Sequence, residues 1–117
     1  MKPIKLYHNP RCSKSRKTLE LLIERGHTPT VIEYLQTPPT LEELKTIVEL
    51  LAVQPRNIMR SNEEAYKTMN LSENSLSDEQ LLQAIVDNPI LLQRPIVVCG
   101  SKAAIGRPPE NILNIIE

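Results

Sequence analysis

Residues 7–16 have the sequence YHNPRCSKSR, and this stretch decides how the rest of the chain is interpreted. It joins a short strand-like run to a pattern with helical spacing, and Asn9-Pro10 between them is a turn signal. Cys12 is therefore expected at or just before the first turn of a helix. Unpaired backbone N–H groups and the positive end of the helix dipole favour a thiolate there.

Four cations surround this cysteine in the sequence: Arg11, Lys14, Arg16 and Lys17. A helix start is stabilised by acidic rather than basic residues, so cations at this point indicate that an anion is held nearby. The anion would be the thiolate, a bound oxyanion or both. A solvated basic turn with an incidental cysteine is the alternative that spacing alone leaves open.

The composition limits the class of protein. A chain of 117 residues, 40% of them hydrophobic, is expected to form a single domain with its own core. Phe and Trp are absent, so this core must be aliphatic and single-stranded nucleic acids would find few stacking surfaces. The formal net charge of zero provides no overall attraction to DNA or an acidic membrane. Two distant cysteines and the lack of a long apolar run predict a reduced, cytoplasmic protein.

The first third of the chain predicts a βαβ unit. Apolar residues at 4–7 predict a strand, leucines at helical spacing predict a helix ending at Gly26, and β-branched residues predict a strand at 30–35. The two strands of such a unit are parallel and their connection is right-handed.

Residues 40–89 predict an all-helical insert. Two helices begin with capping boxes at Thr40 and Ser77. Between them, a short helix is predicted from Pro55 to Arg60, and a weaker pattern places Tyr66 and Met69 on an inner face. These elements separate the βαβ unit from a second β-type half.

The last third predicts a β-hairpin followed by a helix. The strands are expected at 94–99 and 103–105, and Pro108-Pro109 suits the start of the last helix. The complete order is that of thioredoxin-like domains. The sequence thus predicts an α/β fold with a mixed four-stranded sheet and the helical insert between strands 2 and 3. In that fold, the loops after the first strand and before the third strand meet at one end of the sheet.

Three arginines gain significance from this arrangement. Arg94 precedes the third strand and Arg107 precedes the last helix, where a cation is disfavoured by the helix dipole. Arg60 closes a short helix, where a cation is favoured. A guanidinium fork suits tetrahedral oxyanions, and three of them near Cys12 would stabilise charge on the anion's oxygens. Ordinary surface roles remain the alternative for each arginine.

Cys99 and His8 are less informative. Cys99 lies among Ile and Val, which predicts a buried, inert thiol, and its place within a strand argues against easy pairing with Cys12. His8 precedes Cys12 by four residues. It would hydrogen-bond the loop, help to hold the thiolate, or serve a purely structural role.

The chain closely resembles the glutaredoxin-coupled arsenate reductases, which are thioredoxin-fold proteins of the bacterial cytoplasm. The similarity covers essentially the whole chain and is carried by YHNPRCSKSR, NIMRSN around Arg60, QRPIVV around Arg94 and IGRPPE around Arg107. It implies that Cys12 is the nucleophile, that His8 takes part in activating it, and that Pro95 is a cis proline. It further implies that the three arginines bind the oxyanion.

In that family the thiolate attacks arsenate, glutathione attacks the arseno-cysteine, and glutaredoxin supplies further reducing equivalents before arsenite leaves. The resemblance therefore implies arsenate as substrate, glutathione as co-substrate and glutaredoxin as partner. No tightly bound cofactor, metal, nucleic acid or membrane is expected, and the protein should be a cytoplasmic monomer. The residues agree, because Cys12-Ser13-Lys14-Ser15 has serine where a dithiol oxidoreductase has its second cysteine. Some family members continue well beyond the last motif, so this chain is expected to be a short member.

Three other classes of protein share part of this pattern. Low-molecular-weight tyrosine phosphatases and phosphatase-like arsenate reductases need an arginine six residues after the cysteine, where this chain has Thr18. A regulator of the same fold that binds RNA polymerase is the non-enzymatic alternative, although such regulators usually carry a CxxC motif. A general glutathione-dependent thiol reductase would keep Cys12 and need neither Arg60 nor Arg107.

Overall fold

The structure is a computed structural model that describes residues 3–116. The chain forms two compact units. The sheet unit comprises the residues up to Thr37 and those from Arg94 onward, and the helical unit comprises Pro38–Gln93. The predicted insert, residues 40–89, falls within the helical unit.

The helices and strands, in chain order, are β1 (Ile4–His8), α1 (Ser13–Glu24), β2 (Thr30–Glu33), α2 (Leu41–Leu51), α3 (Glu64–Thr68), α4 (Asp78–Asp87), β3 (Ile96–Cys99), β4 (Lys102–Ile105) and α5 (Leu113–Ile116), with short 3-10 helices at Pro55–Ile58, Pro89–Leu91 and Pro109–Ile112. The strands form one sheet in the order β2-β1-β3-β4. β1 pairs in parallel with β2 and antiparallel with β3, and β4 is antiparallel to β3. This confirms the predicted α/β fold with a mixed four-stranded sheet.

The register of the sheet determines which loops meet. Tyr7 pairs with Ile96, and Ile96 pairs with Ile105. The carboxyl end of β1, the start of β3 and the carboxyl end of β4 therefore lie at one end of the sheet. Because the loop before Cys12 leaves β1 at this same end, it is placed beside the segments that carry Arg94 and Arg107.

The helix α1 begins and ends where the sequence indicates. Cys12 is its N-cap, with extended backbone angles, and Gly26 follows its C-terminus with φ of +82°. The N–H of Gly26 donates to the carbonyl of Ile23, and the N–H of His27 donates to that of Leu22, which satisfies the last carbonyls of the helix. The predicted stop at Gly26 is confirmed.

One face of the sheet carries the aliphatic core of the sheet unit. The buried members of this core come from β1, α1, β3 and the last 3-10 helix, and they are Ile4, Leu6, Leu22, Val97, Cys99 and Ile112. Burying a side chain of this size contributes about 1.5–3 kcal/mol. This packing holds α1, and hence Cys12 at its start, against β1 and β3.

The end of β2 and the form of the last helix differ from the prediction. β2 ends at Glu33 rather than residue 35, because the N–H groups of Gln36 and Thr37 both donate to the carbonyl of Glu33 at 2.9 Å and turn the chain. The last helix begins as a 3-10 turn at Pro109–Ile112 and is α-helical only over Leu113–Ile116.

The two capping boxes of the helical unit are confirmed. The hydroxyl of Thr40 accepts from the N–H of Glu43 at 3.1 Å, and the Glu43 carboxylate accepts from the N–H of Thr40 at 3.2 Å. Ser77 and Gln80 make the same reciprocal pair at the start of α4. Local sequence is sufficient to place both helix starts, because every partner lies within three residues of the cap.

The predictions for Met69 and for the helix at Arg60 are wrong. Met69 is 42% exposed, because α3 ends at Thr68 and Met69 caps it on the outside. The short helix ends at Ile58, because Met59 forms a β-bridge with Leu92 and the N–H of Arg60 donates to the carbonyl of Leu91 at 2.7 Å. Arg60 thus lies beyond the helix rather than closing it.

Arg56 organises the loop after α3. Its guanidinium donates to the hydroxyl of Tyr66 at 3.0 Å, to the carbonyl of Leu71, and to the carbonyl of Glu73 at 2.6 Å. Hydrogen bonds from a charged donor to backbone carbonyls contribute about 1.5–3 kcal/mol each. A residue without a role in the sequence analysis therefore holds this part of the helical unit together.

Within residues 3–116, no helix is both long enough and apolar enough to cross a membrane.

Candidate active site

Asn9 shapes the loop that presents Cys12. Its side-chain oxygen accepts from the N–H of Arg11 at 3.0 Å, and its carbonyl accepts from the N–H of Cys12 at 3.0 Å. The carbonyl of Cys12 then accepts the first hydrogen bond of α1, from the N–H of Arg16 at 3.0 Å. The cysteine is therefore fixed as the N-cap of the helix, as the sequence predicted.

The sulfur of Cys12 is half-buried and lies among hydrogen-bond donors. Burial raises the pKa of the Cys12 thiol. Hydrogen bonds from the backbone N–H of Ser15, the Arg94 side chain and the backbone N–H of Lys14 lower it, and so does the charge of Arg94. The lowering contributions together exceed the effect of burial, so the pKa of Cys12 lies below its ordinary value of 9.0. A larger fraction of the nucleophilic thiolate follows.

Arg107 completes this environment from the far end of the chain. Its Nη2 lies 3.9 Å from the Cys12 sulfur, although the two residues are 95 positions apart. Its Nε donates to the carbonyl of Arg94 at 2.7 Å, so the two arginines are tied to each other. The structure thus brings together Cys12, Arg94 and Arg107, three of the predicted site residues.

The cations next to Cys12 in the sequence do not account for this environment. The side chains of Arg11, Lys14, Arg16 and Lys17 are exposed. Arg16 donates to the carbonyl of Pro10 at 3.0 Å and so braces the loop rather than the sulfur. The charge that lowers the pKa of Cys12 comes instead from the distant Arg94.

Gly106 allows these segments to approach closely. A Cβ atom at this position would lie 2.6 Å from the Thr18 hydroxyl oxygen and 2.8 Å from Cγ of Pro95. The N–H of Gly106 also donates to the carbonyl of Pro95 at 2.9 Å. The peptide bonds preceding Pro95 and Pro108 are both cis, the first of which is the bond singled out by the family resemblance. Any larger residue at 106 would therefore displace the segment that carries Arg107.

His8 is hydrogen-bonded to Ser15. The ring Nδ1 of His8 and the Ser15 hydroxyl oxygen are 2.7 Å apart, and this oxygen also accepts from the N–H of Asn9 at 3.0 Å. The hydroxyl has one hydrogen to donate and two lone pairs to accept with, so the tautomer of the ring decides whether Nδ1 or the hydroxyl is the donor in this pair. The contact supports the alternative in which His8 orders the loop, and a part in activating the thiol stays a prediction.

The buried position of His8 also changes its titration. Burial lowers the pKa of His8, the nearby charge of Glu33 raises it, and the charge of Arg16 lowers it, with a net result below the ordinary 6.5. The neutral ring is thus favoured in the folded protein.

We expect the free energy of unfolding to fall as acidification begins to protonate His8. Because the pKa of His8 is lower in the folded protein than in the unfolded chain, the unfolded chain binds more protons between the two values. Stability is therefore lost as the pH falls through 6.5, the ordinary histidine pKa, toward the folded value. Urea denaturation from about pH 7.5 to about pH 5.5 should show a smaller loss for His8→Gln than for the wild type.

His27→Gln is the matched control, because His27 lies in the loop after α1, away from the Ser15 contact. Equal losses in the wild type and in His8→Gln would contradict the prediction. The prediction would also be contradicted if His27→Gln removed the loss of stability on acidification and His8→Gln did not.

The remaining predicted site residues have separate surroundings. Arg60 belongs to the helical unit, where its Nε lies 3.3 Å from the carboxylate of Glu63. Its place in an oxyanion site stays a prediction. Cys99 is 6% exposed in β3, which confirms the predicted buried thiol, and both cysteines are free thiols rather than a disulfide.

Two residues of the site were missed by the sequence analysis. Ser15 is fully buried and joins His8, Asn9 and the sulfur of Cys12, and its position three residues after the cysteine was the available signal. Gly106 precedes Arg107 in IGRPPE, but its close packing depends on Thr18, which lies far away in the sequence.

The fold and the site define a thioredoxin-like protein with a single activated cysteine at a helix N-terminus. The profile of the ArsC family matches residues 7–115, and the chain belongs to that family. It is 53% identical over 116 residues to the uncharacterized protein YfgD of Escherichia coli K12, covering 98% of each chain. It is 51% identical over 113 residues to the arsenate reductase of Neisseria meningitidis serogroup A, covering 96% of this chain and 97% of the relative. The solved structure of an arsenate reductase from Vibrio cholerae matches with a TM-score of 0.96 and 48% identity, covering 98% of both chains.

Proposed function

We propose that this protein reduces arsenate to arsenite, with Cys12 as the nucleophile and with glutathione and glutaredoxin as reductants. The observation that carries the proposal is the Cys12 sulfur, whose pKa is lowered and which lies within hydrogen-bonding range of Arg94 and Arg107. The arsenate reductases among the relatives of this chain support the choice of oxyanion.

The first step would be displacement of an oxygen on arsenic. The Cys12 thiolate attacks arsenic(V), an S–As bond forms, an As–O bond breaks, and the oxygen leaves as water after protonation. Negative charge stays on the remaining oxygens, and the guanidinium groups of Arg94 and Arg107 are suited to bind it. We propose Arg60 as the third such group.

The reduction itself needs two electrons from thiols outside this chain. The glutathione thiolate displaces a second oxygen, which again leaves as water, and forms a second S–As bond. A glutaredoxin thiolate then attacks the glutathione sulfur and forms an S–S bond. The electron pair of the broken S–As bond passes to arsenic, which becomes arsenic(III). Water finally displaces Cys12 from arsenic(III), which releases arsenite and restores the thiol.

The surroundings of the two cysteines support an external reductant. Cys99 is buried in β3, and the position that holds a second cysteine in dithiol enzymes is Ser15, which is occupied by contacts to His8 and Asn9. No thiol of this chain is therefore placed to resolve the Cys12 adduct. Two free thiols also suit the reducing conditions of the cytoplasm, where we propose that the protein acts as a monomer.

A coupled assay tests the proposal. The protein is supplied with arsenate, glutathione, glutaredoxin, glutathione reductase and NADPH, and we expect NADPH oxidation that requires arsenate and both thiol sources. A folded protein without arsenate-dependent oxidation would overturn the proposal. Full activity without glutaredoxin would show that glutaredoxin is not a partner, and would leave the rest of the proposal unchanged. Activity on a mixed disulfide but not on arsenate would favour a general glutathione-dependent thiol reductase.

A further inference from the structure

A groove of about 290 Å³ lies against the loop that leads to Cys12, and we name it the His8 groove. Its walls are the end of β1 with the following loop and the turn after β2. The lining residues, all in the sheet unit, are His8, Asn9, Pro10, Arg11, Glu33, Leu35 and Gln36. The volume lies just below the range for small-molecule sites, about 300–1,000 Å³.

The groove lies on the opposite side of β1 from the two arginines that face the sulfur. The sheet order β2-β1-β3-β4 places the turn after β2 on one side of β1 and the segments of Arg94 and Arg107 on the other. Cys12 follows β1 and lies between them. A molecule in the His8 groove would therefore contact the loop that leads to Cys12 from the side opposite to Arg94 and Arg107, and would leave those two arginines free to hold an oxyanion.

The lining selects the charge of the occupant. It includes a carboxylate at Glu33 and a guanidinium at Arg11, so a simple anion meets repulsion from the first and a simple cation from the second. A ligand with both an ammonium and a carboxylate group complements the charges of both Glu33 and Arg11. Gln36 adds an amide that both donates and accepts, and Leu35, which is 41% exposed, offers an apolar surface.

We infer that the His8 groove binds the thiol co-substrate, a zwitterionic peptide about three residues long, and directs its sulfur toward Cys12. The inference rests on the proposed function for the identity of the thiol. In this arrangement the ammonium group pairs with Glu33, a carboxylate pairs with Arg11, and the peptide amides face Gln36. Oxyanion and thiol then approach Cys12 from different sides.

The first experiment measures binding without any reaction. S-methylglutathione carries the charges of glutathione but has no free thiol, and it is titrated into the full-length protein while backbone amide NMR signals are followed. We expect concentration-dependent shifts at residues 9–11 and 33–36. Shifts confined to the segments of Arg94 and Arg107, or no shifts at millimolar concentration, would overturn the inference.

The second experiment uses charge variants of the lining. We expect Glu33→Gln and Arg11→Ala each to weaken S-methylglutathione binding about two- to fivefold, and the double variant about tenfold, because both side chains are partly solvated. The KM for glutathione should rise by similar factors while the KM for arsenate stays constant. Glu24→Gln on α1 and Lys102→Ala on β4 are the matched controls, since both are exposed and lie outside the groove.

The two experiments separate this inference from the proposed function. Binding of S-methylglutathione in the His8 groove without any arsenate reduction would contradict the function and leave the groove assignment standing. Arsenate reduction with an unchanged KM for glutathione in the double variant would overturn the groove assignment alone. A rise in the KM for arsenate instead would also overturn it.

Discussion

Cys12→Ser is expected to reduce arsenate turnover to background, a loss of at least about a thousandfold. The serine hydroxyl stays protonated under conditions where the cysteine supplies thiolate, so the S–As intermediate cannot form. The fold should survive, because Cys12 is the N-cap of α1 and serine is a preferred residue at that position. The loss of activity would then report chemistry rather than unfolding.

The coupled NADPH assay and urea denaturation together check this expectation. Cys99→Ala is the matched control, since it removes the other thiol of the chain from the interior of β3. We expect this control to keep arsenate turnover even if it lowers the free energy of unfolding. Residual turnover by Cys12→Ser above about one thousandth of the wild-type rate, or loss of turnover in stably folded Cys99→Ala, would contradict the assignment of the nucleophile.

Arg94→Ala is expected to raise the KM for arsenate about 10- to 150-fold and to raise the pKa of Cys12. The first effect follows from the loss of a charge-assisted hydrogen bond to the oxyanion, which contributes about 1.5–3 kcal/mol. The second follows because the Arg94 side chain donates to the sulfur and its charge favours the thiolate. Arg94→Lys should keep part of the effect on the pKa and lose most of the arsenate affinity, because an ammonium group lacks the guanidinium fork.

The thiol pKa is measured from the ultraviolet absorbance of the thiolate as a function of pH, and the KM for arsenate from the coupled assay. Lys17→Ala is the matched control, because Lys17 carries the same charge on the exposed side of α1. Equal changes in Lys17→Ala and Arg94→Ala would indicate a general effect of charge rather than contact with the sulfur. An unchanged pKa and an unchanged KM in Arg94→Ala would contradict the site.

The parts of the fold that were predictable from sequence have local causes. The capping boxes at Thr40 and Ser77 and the stop at Gly26 each depend on residues within a few positions. One of the errors has a distant cause. The helix before Arg60 is shortened because this segment pairs with the segment at Leu91, more than thirty residues later. No sequence pattern near Arg60 indicates that pairing.

The residues of the candidate site likewise include some that local sequence predicts and some that depend on distant partners. A cysteine at a helix start is recognisable from its own neighbourhood, and Arg94 and Arg107 were indicated by their unusual positions before a strand and a helix. Ser15 and Gly106 were not, since the role of each depends on a partner brought close only by the sheet register and the packing of α1. From the sequence, the cations next to Cys12 were expected to stabilise its thiolate, whereas in the structure the charge of Arg94 lowers the pKa of Cys12.

The close contact at Gly106 has a consequence for redesign of the site. The reach of Arg107 toward sulfur is governed by main-chain packing against Thr18 and Pro95, so it cannot be tuned by choosing among residues at 106. Trimming Thr18 alone would not admit a side chain at 106, because Cγ of Pro95 would still lie 2.8 Å from the added Cβ. Redesign of the oxyanion site therefore has to keep glycine at 106 and act through other residues.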